Sequence, residues 1–176
     1  GHVIYTIHSN IGYVWSSEEL EELDFIISNL HVFSERAKLK RLLNNAYTTD
    51  TLTGLPNIRG LIKYAKNLVD NKQFHEYTCM YINIRNFKYI NRTFGSKQGD
   101  ELLAQYAHIA NNFLQDDEIF SRLGGDNFFA IIKNSSVDTF LSSINPITLL
   151  ITKENKIVKH SLDAHIGIYP ITPNDN

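Results

Sequence analysis

The spacing of apolar residues changes several times along this chain, and each change marks an element. From Ser16 to Thr53 no Gly or Pro intervenes, and Leu20, Leu23, Ile27, Leu30, Phe33 and Ala37 recur at threes and fours. That is the helical period. Ser16 and Glu19 stand at capping-box spacing just ahead of it. Leu39, Leu42, Leu43 and Ala46 continue the pattern with a shift in phase. The spacing predicts a helix of about 30 residues, some 45 Å long at about 1.5 Å per residue. Such a length suits a spacer or a dimerising coiled coil, with two packed helices broken near Ser34 as the alternative. Ahead of it, residues 3–15 read as two short strands around Ser9-Asn10. Two strands alone are marginal, so they are expected to be the end of an upstream domain.

Beyond Thr48 the period alternates between helix and strand. Thr53-Gly54-Leu55-Pro56-Asn57 is turn chemistry. Residues 58–70 follow as an amphipathic helix through Leu61, Ile62, Ala65 and Leu68. Residues 77–84 form a β-branched and aromatic run that predicts a buried strand. Phe87 to Thr93 predicts a short helix. Gly95 and Gly99 are expected to break the chain before a helix over 101–114, with Asp100 at its start and Phe113 facing the core. Ile119–Leu123 and Phe128–Ile132 read as strands around Gly124-Gly125-Asp126-Asn127, a strong hairpin turn. A short helix near 137–144 precedes strands near 147–152 and 159–169. The order predicts an α/β (α+β) fold, a central, mostly antiparallel sheet flanked by helices.

Composition narrows the reading. The 176 residues carry 19 acids and 17 bases, a formal charge of −2, so no basic field favours nucleic acid. Cys79 is the only cysteine, which excludes a disulfide scaffold, and it lies in a predicted strand as a core residue. The seven histidines show no metal spacing. No apolar run reaches the roughly 20 residues of a membrane span. The start lacks both an initiator Met and signal-peptide regions. The expectation is a cytoplasmic piece of a longer protein, divided into strand remnants at 1–15, a linker helix at 16–47 and a C-terminally truncated domain at 48–176.

Five segments match one known pattern in order and spacing. They are Asp50-x-Leu52-Thr53-Gly54-Leu55-Pro56-Asn57, then Asn83-Ile84-Arg85-Asn86-Phe87-Lys88, then Ile90-Asn91 through Gly95 to Gly99-Asp100. Arg122-x-Gly124-Gly125-Asp126-Asn127-Phe128 and the strand His165-Ile166-Gly167-Ile168 complete the set. Together, over residues 47–176, they resemble the GGDEF domain, the diguanylate cyclase module of bacterial signalling. The part before residue 47 resembles, more weakly, the end of a GAF-type sensor domain.

The resemblance implies a dimer that condenses two GTP into cyclic di-GMP, one GTP per subunit. It implies Mg²⁺ held by an Asp-x-Asp strand motif and by the acids of the hairpin, as phosphoryl transfer requires. In this chain those positions are Asn83, Arg85, Asp126 and Asn127, which carry no net charge. At an effective dielectric of about 20, a unit charge pair 4 Å apart is worth about 4 kcal/mol. Two-metal chemistry is therefore not expected, and Asp126 is the remaining metal candidate. The resemblance assigns guanine recognition to Asn91 and Asp100, whose side chains suit a purine edge; the bland reading of the pair is an Asx turn and a helix cap. It also keeps Lys88 and Arg122, with Lys88 a phosphate partner, and Gly124 and Gly125 for close backbone approach. Arg85 could replace the metal at phosphate.

Two more departures bear on regulation. The family's inhibitory product site uses Arg-x-x-Asp, where this chain has Gln115-Asp116-Asp117-Glu118 without the Arg. The family's last basic helix should follow Ile168, and this chain ends at Asn176. The expected role is a degenerate GGDEF domain that binds GTP, with or without Mg²⁺, and controls linked output such as an EAL phosphodiesterase. The alternatives are a slow cyclase using Asp126 and the Asn83 carbonyl, and a ligand-free dimerisation or relay element.

Overall fold

In the computed structural model, residues 14–153 and 156–175 are described. The strands expected over 3–15 lie almost wholly outside them; Val14 and Trp15 belong to no strand. The chain divides into two compact units, Gly1–Asn45 and Ala46–Asn176.

The first unit is dominated by α1, Ser17–Thr48, an unbroken helix of 32 residues. The expected capping box is formed: Ser16 N donates to Glu19 Oε2 at 2.8 Å and Glu19 N donates to Ser16 Oγ at 3.2 Å. None of its residues is buried. Phe25, Val32 and Leu39 repeat at sevens on a different side from Leu20, Leu23, Ile27 and Leu30. The apolar residues thus occupy more than one stripe, and the break near Ser34 does not occur.

The second unit holds α2 (Ile58–Asp70), β1 (Tyr77–Ile84), α3 (Phe87–Phe94), α4 (Ser96–Asn111), β2 (Ile119–Gly124) and β3 (Asn127–Lys133). It continues with α5 (Val137–Ile144), β4 (Ile147–Lys153), β5 (Lys156–Leu162) and β6 (Ala164–Pro170). The main sheet has the order β2-β3-β1-β6, and all its pairs are antiparallel. β4 and β5 form a separate antiparallel hairpin.

Side-chain alternation explains the layers. Met80, Ile82 and Ile84 of β1 point to one face, which α3, α4 and α5 cover through Phe87, Leu102, Leu103, Tyr106 and Phe140. The other face receives α2, where Leu61 and Leu68 pack on Tyr77, Ile119 and Ile131. Phe128, next to the hairpin turn, is fully buried and stacks on Phe120 with centroids 5.2 Å apart. Burying one such ring stabilises by roughly 1.5–3 kcal/mol, so the core anchors the hairpin. Asn145 Nδ2 donates to Ala164 O at 3.1 Å and Ala164 N donates to Asn145 Oδ1 at 3.0 Å, which ties the start of β6 to the loop before β4.

Three local expectations are corrected. Gly99 does not break the chain; α4 starts at Ser96 with Gly95 as its N-cap at φ +85°. A Cβ at Gly99 would lie 1.8 Å from Asn91 Oδ1, so this glycine serves close packing of α3 on α4. The helix stops at Asn111, which leaves Phe113 44% exposed rather than in the core. The strand expected over 159–169 is split at Asp163: β5 pairs with β4 and β6 pairs with β1.

Candidate functional site

The site lies where β1 ends, α3 begins and the β2–β3 hairpin turns. A cavity of about 530 Å³ is lined there by Asn83, Asn86, Lys88, Tyr89, Arg92 and Asp126, together with Ile84 and Phe87. Antiparallel register places Asn83 directly opposite Asn127. Asn83 Nδ2 donates to Asn127 Oδ1 at 2.9 Å, and the Tyr81 hydroxyl donates to the same oxygen at 2.7 Å. Asn127 Nδ2 donates to Gly124 O at 3.3 Å. The Asn127 amide is therefore spent within the protein. Hard divalent cations take carboxylates and other free oxygens. Here Asp126 is the single carboxylate lining the cavity, and no group of three or more His, Cys, Asp or Glu is gathered among the described residues. This donor set does not fit a Mg²⁺ pair.

The hairpin itself is held from outside the cavity. Gly124 and Gly125 take φ of +126° and +56°, conformations that favour glycine. Arg122, expected among the nucleotide-binding residues, is a clamp. Its Nη1 donates to both oxygens of Asp50 at 3.0 and 3.2 Å, and its Nε and Nη2 donate to Gly125 O at 3.1 and 2.8 Å. Its side chain is only 10% exposed. Asp50 also accepts from Thr53 N at 2.9 Å and Thr53 Oγ1 at 2.7 Å. Burial pushes the Asp50 carboxyl up, but the Thr53 donors and the Arg122 guanidinium outweigh it and hold the carboxyl below its usual value. Asn57 caps α2 through Arg59 N and Gly60 N, and its Nδ2 donates to Tyr47 O and Thr49 O. The Asp50–Asn57 segment thus links the start of this unit to the hairpin.

The other expected residues are dispersed. Arg85 lies past the end of β1 and lines a separate cavity of about 250 Å³ with His160, Ser161 and Asp163. Asn91 sits on α3 against Gly99; its Oδ1 is buried and has no hydrogen-bond partner. Asp100 is exposed on α4. Neither lines the 530 Å³ cavity. Glu118, at the acid of the expected product site, is buried and accepts from Gln115 N at 2.9 Å and Lys133 N at 3.0 Å. Cys79 is half-buried, and burial pushes its thiol up to about 11. Sequence reasoning missed Arg92, Tyr89 and Asn86 at the cavity. The signal for Arg92 was its position four residues after Lys88 on a helix.

The model of the family described as "Diguanylate cyclase, GGDEF domain" matches residues 47–176. This chain belongs to the GGDEF family. Among curated relatives, the cyclic di-GMP phosphodiesterase PdeR of Escherichia coli K12 is 33% identical over 127 residues, 70% of this chain and 19% of PdeR. The diguanylate cyclase DgcP of the same strain is 36% identical over 96 residues, 53% of this chain and 28% of DgcP. The chain thus spans less than a third of either relative's length. The solved coiled coil and GGDEF domain of DgcB from Caulobacter crescentus, in complex with c-di-GMP, superposes with a TM-score of 0.68 at 21% identity. That match covers 84% of this chain and 81% of the other, and it confirms the GGDEF fold. No helix among the described residues is long and apolar enough to cross a membrane.

Proposed function

We propose that this GGDEF domain is regulatory: it binds GTP, does not perform cyclase chemistry, and passes its bound state to covalently linked domains. The observation that carries this reading is the Asn83–Asn127 amide pair, which occupies positions where the family resemblance expects acids. A neutral amide pair offers a metal no charge, and Asn127 Oδ1 already accepts from Asn83 and Tyr81. The buried, unpartnered Asn91 Oδ1 supports guanine as the base. Leaving such an atom unsatisfied costs about 1–3 kcal/mol, and a purine N–H would remove that cost. One relative is a cyclic di-GMP phosphodiesterase, which supports output of that class. GTP would shift the linked domains only by its differential affinity for their two arrangements.

The test is calorimetry with GTP, paired with chromatography of the reaction mixture for cyclic di-GMP. Expected are micromolar binding, about −8 kcal/mol, and no product. Turnover that the Asp126→Asn variant abolishes would refute the reading and restore a slow cyclase.

A second reading rests on α1. Phe25, Ile26, Val32, Phe33, Leu39 and Leu43 are all about half exposed or more, at 49–73%. Such a helix suits self-association as a relay element without ligand. Sedimentation would then show a concentration-dependent dimer, lost when the helix is removed, alongside no GTP binding.

A further inference from the structure

Two cations share the 530 Å³ cavity with a single carboxylate. Lys88 and Arg92 lie one turn apart on α3 and both line it. Side chains at that spacing are neighbours, and like charges there repel. Among the described residues neither enters an ion pair with an acid. The Arg92 guanidinium lies over the Tyr89 ring instead, 5.7 Å from its centroid. A pair of cations facing one cavity, offset there by Asp126 alone, stores a preference for a polyanion. The cavity offers a metal little charge, because Asn83 is an amide and Asp126 is the one carboxylate of its lining.

We infer that Lys88 and Arg92 grip the polyphosphate of the nucleotide and do the work that a divalent cation would otherwise do. This rests on the reading that the cavity takes a guanine nucleotide. Arg92 presents a planar fork to two phosphate oxygens, and Lys88 adds a compact charge beside it. The ligand is then the free triphosphate anion rather than its magnesium complex. Four consequences follow from charge alone. Affinity rises from GMP through GDP to GTP. It survives chelator and falls with salt. Excess Mg²⁺ weakens it, because chelation removes two of the charges that the cations grip.

The experiment is calorimetry on the full chain with GTP, GDP and GMP, each in chelator and in excess Mg²⁺. The variants are Arg92→Gln, Lys88→Gln and, as a control for loss of one positive charge elsewhere, Lys66→Gln on α2. Circular dichroism melts establish that each variant is folded. In chelator, Arg92→Gln should lower GTP affinity by about tenfold or more, the loss of one charged hydrogen bond. GMP affinity should fall much less, and Lys66→Gln should bind like the parent. If the parent binds GTP in chelator and Arg92→Gln and Lys88→Gln bind it equally well, the grip is refuted while the nucleotide reading stands. If GTP binding requires Mg²⁺, the grip is refuted as well. If no guanine nucleotide binds the parent in either condition, both fall.

Discussion

Replacing Asp50 by Asn tests how the hairpin is held. The side chain keeps its volume and loses its charge. In the parent, one Asp50 oxygen accepts from Thr53 N, Thr53 Oγ1 and Arg122 Nη1 at 2.7–3.0 Å, and the other accepts from Nη1 at 3.2 Å. The Arg122 side chain is 10% exposed and that of Asp50 20%, so water replaces the pair poorly. Exposed pairs are worth about 0–1 kcal/mol, and breaking a fully buried one costs about 3–5 kcal/mol. This pair lies between, and Asp50→Asn should cost about 2–3 kcal/mol. At about 4 °C per kcal/mol for a domain of this size, Tm should fall by roughly 8–12 °C. The assay is urea unfolding of the parent, Asp50→Asn, Arg122→Gln and the double variant. The double-mutant cycle should give a coupling of about 1–2 kcal/mol. The pH dependence supplies a second check. The Asp50 carboxyl titrates lower in the folded state than its unfolded value of about 3.9. Its contribution is therefore complete above that unfolded value and disappears as pH falls through the folded one. The deficit of Asp50→Asn should shrink below about pH 4 for the same reason. A deficit under about 0.5 kcal/mol at neutral pH, the level of an ordinary surface change, would refute the clamp, as would a deficit that grows in acid.

Other substitutions report on neighbouring parts of the site. Asn83→Asp should destabilise by about 1–2 kcal/mol at neutral pH, because the carboxylate offers no donor to Asn127 Oδ1; urea midpoints without Mg²⁺ measure it. Paired with Asn127→Glu it should create Mg²⁺ binding, seen as a Tm that rises with Mg²⁺. Gly99→Ala should destabilise by about 1–3 kcal/mol in urea unfolding, because its Cβ would lie 1.8 Å from Asn91 Oδ1 and 3.2 Å from the Phe87 ring. The same variant should lose selectivity for GTP over ATP in a competition titration. Phe128→Ala should cost about 3–5 kcal/mol in urea unfolding, because the ring is fully buried against Phe120 and Tyr106.

Much of the fold was legible because local chemistry agreed with the tertiary result. Gly54, Pro56 and Asn57 announced a turn, and the structure adds that Asn57 is the N-cap of α2. Gly124-Gly125 announced a hairpin, and both take positive φ. The failures were tertiary. Gly99 looks like a breaker until Asn91 is seen to fill the space of its missing Cβ. The split at Asp163 depends on β5 and β6 having different partners, which no local pattern encodes. The candidate site was legible by position and not by direction. Motif spacing marked Asn83, Lys88 and Asp126, which share a cavity. It also marked Arg85, which lines the neighbouring one, and Arg122, which is consumed by Asp50 and Gly125. Distance along a motif says nothing about which side of a turn a side chain leaves from.

The exchange of acids for amides is also a statement about the free protein. Two carboxylates facing each other across β1 and β3 would repel unless a cation lay between them. Two asparagines in the same register hydrogen-bond directly, with the Tyr81 hydroxyl as a third member. The hairpin is then held without ligand, by the amide pair on one side and Arg122 on the other. Preorganisation of this kind lowers the ordering cost of binding. It also removes the means by which a metal could report on the hairpin's position. Under the proposed regulatory reading, a nucleotide signal would run through contacts made by α3, where Lys88, Tyr89 and Arg92 line the cavity and Asn91 packs on α4. A double variant that restores the acids, Asn83→Asp with Asn127→Glu, should reverse the dependence and make GTP binding rise with Mg²⁺. If it still binds GTP best in chelator, α3 alone sets the metal preference and the amide pair serves only the fold.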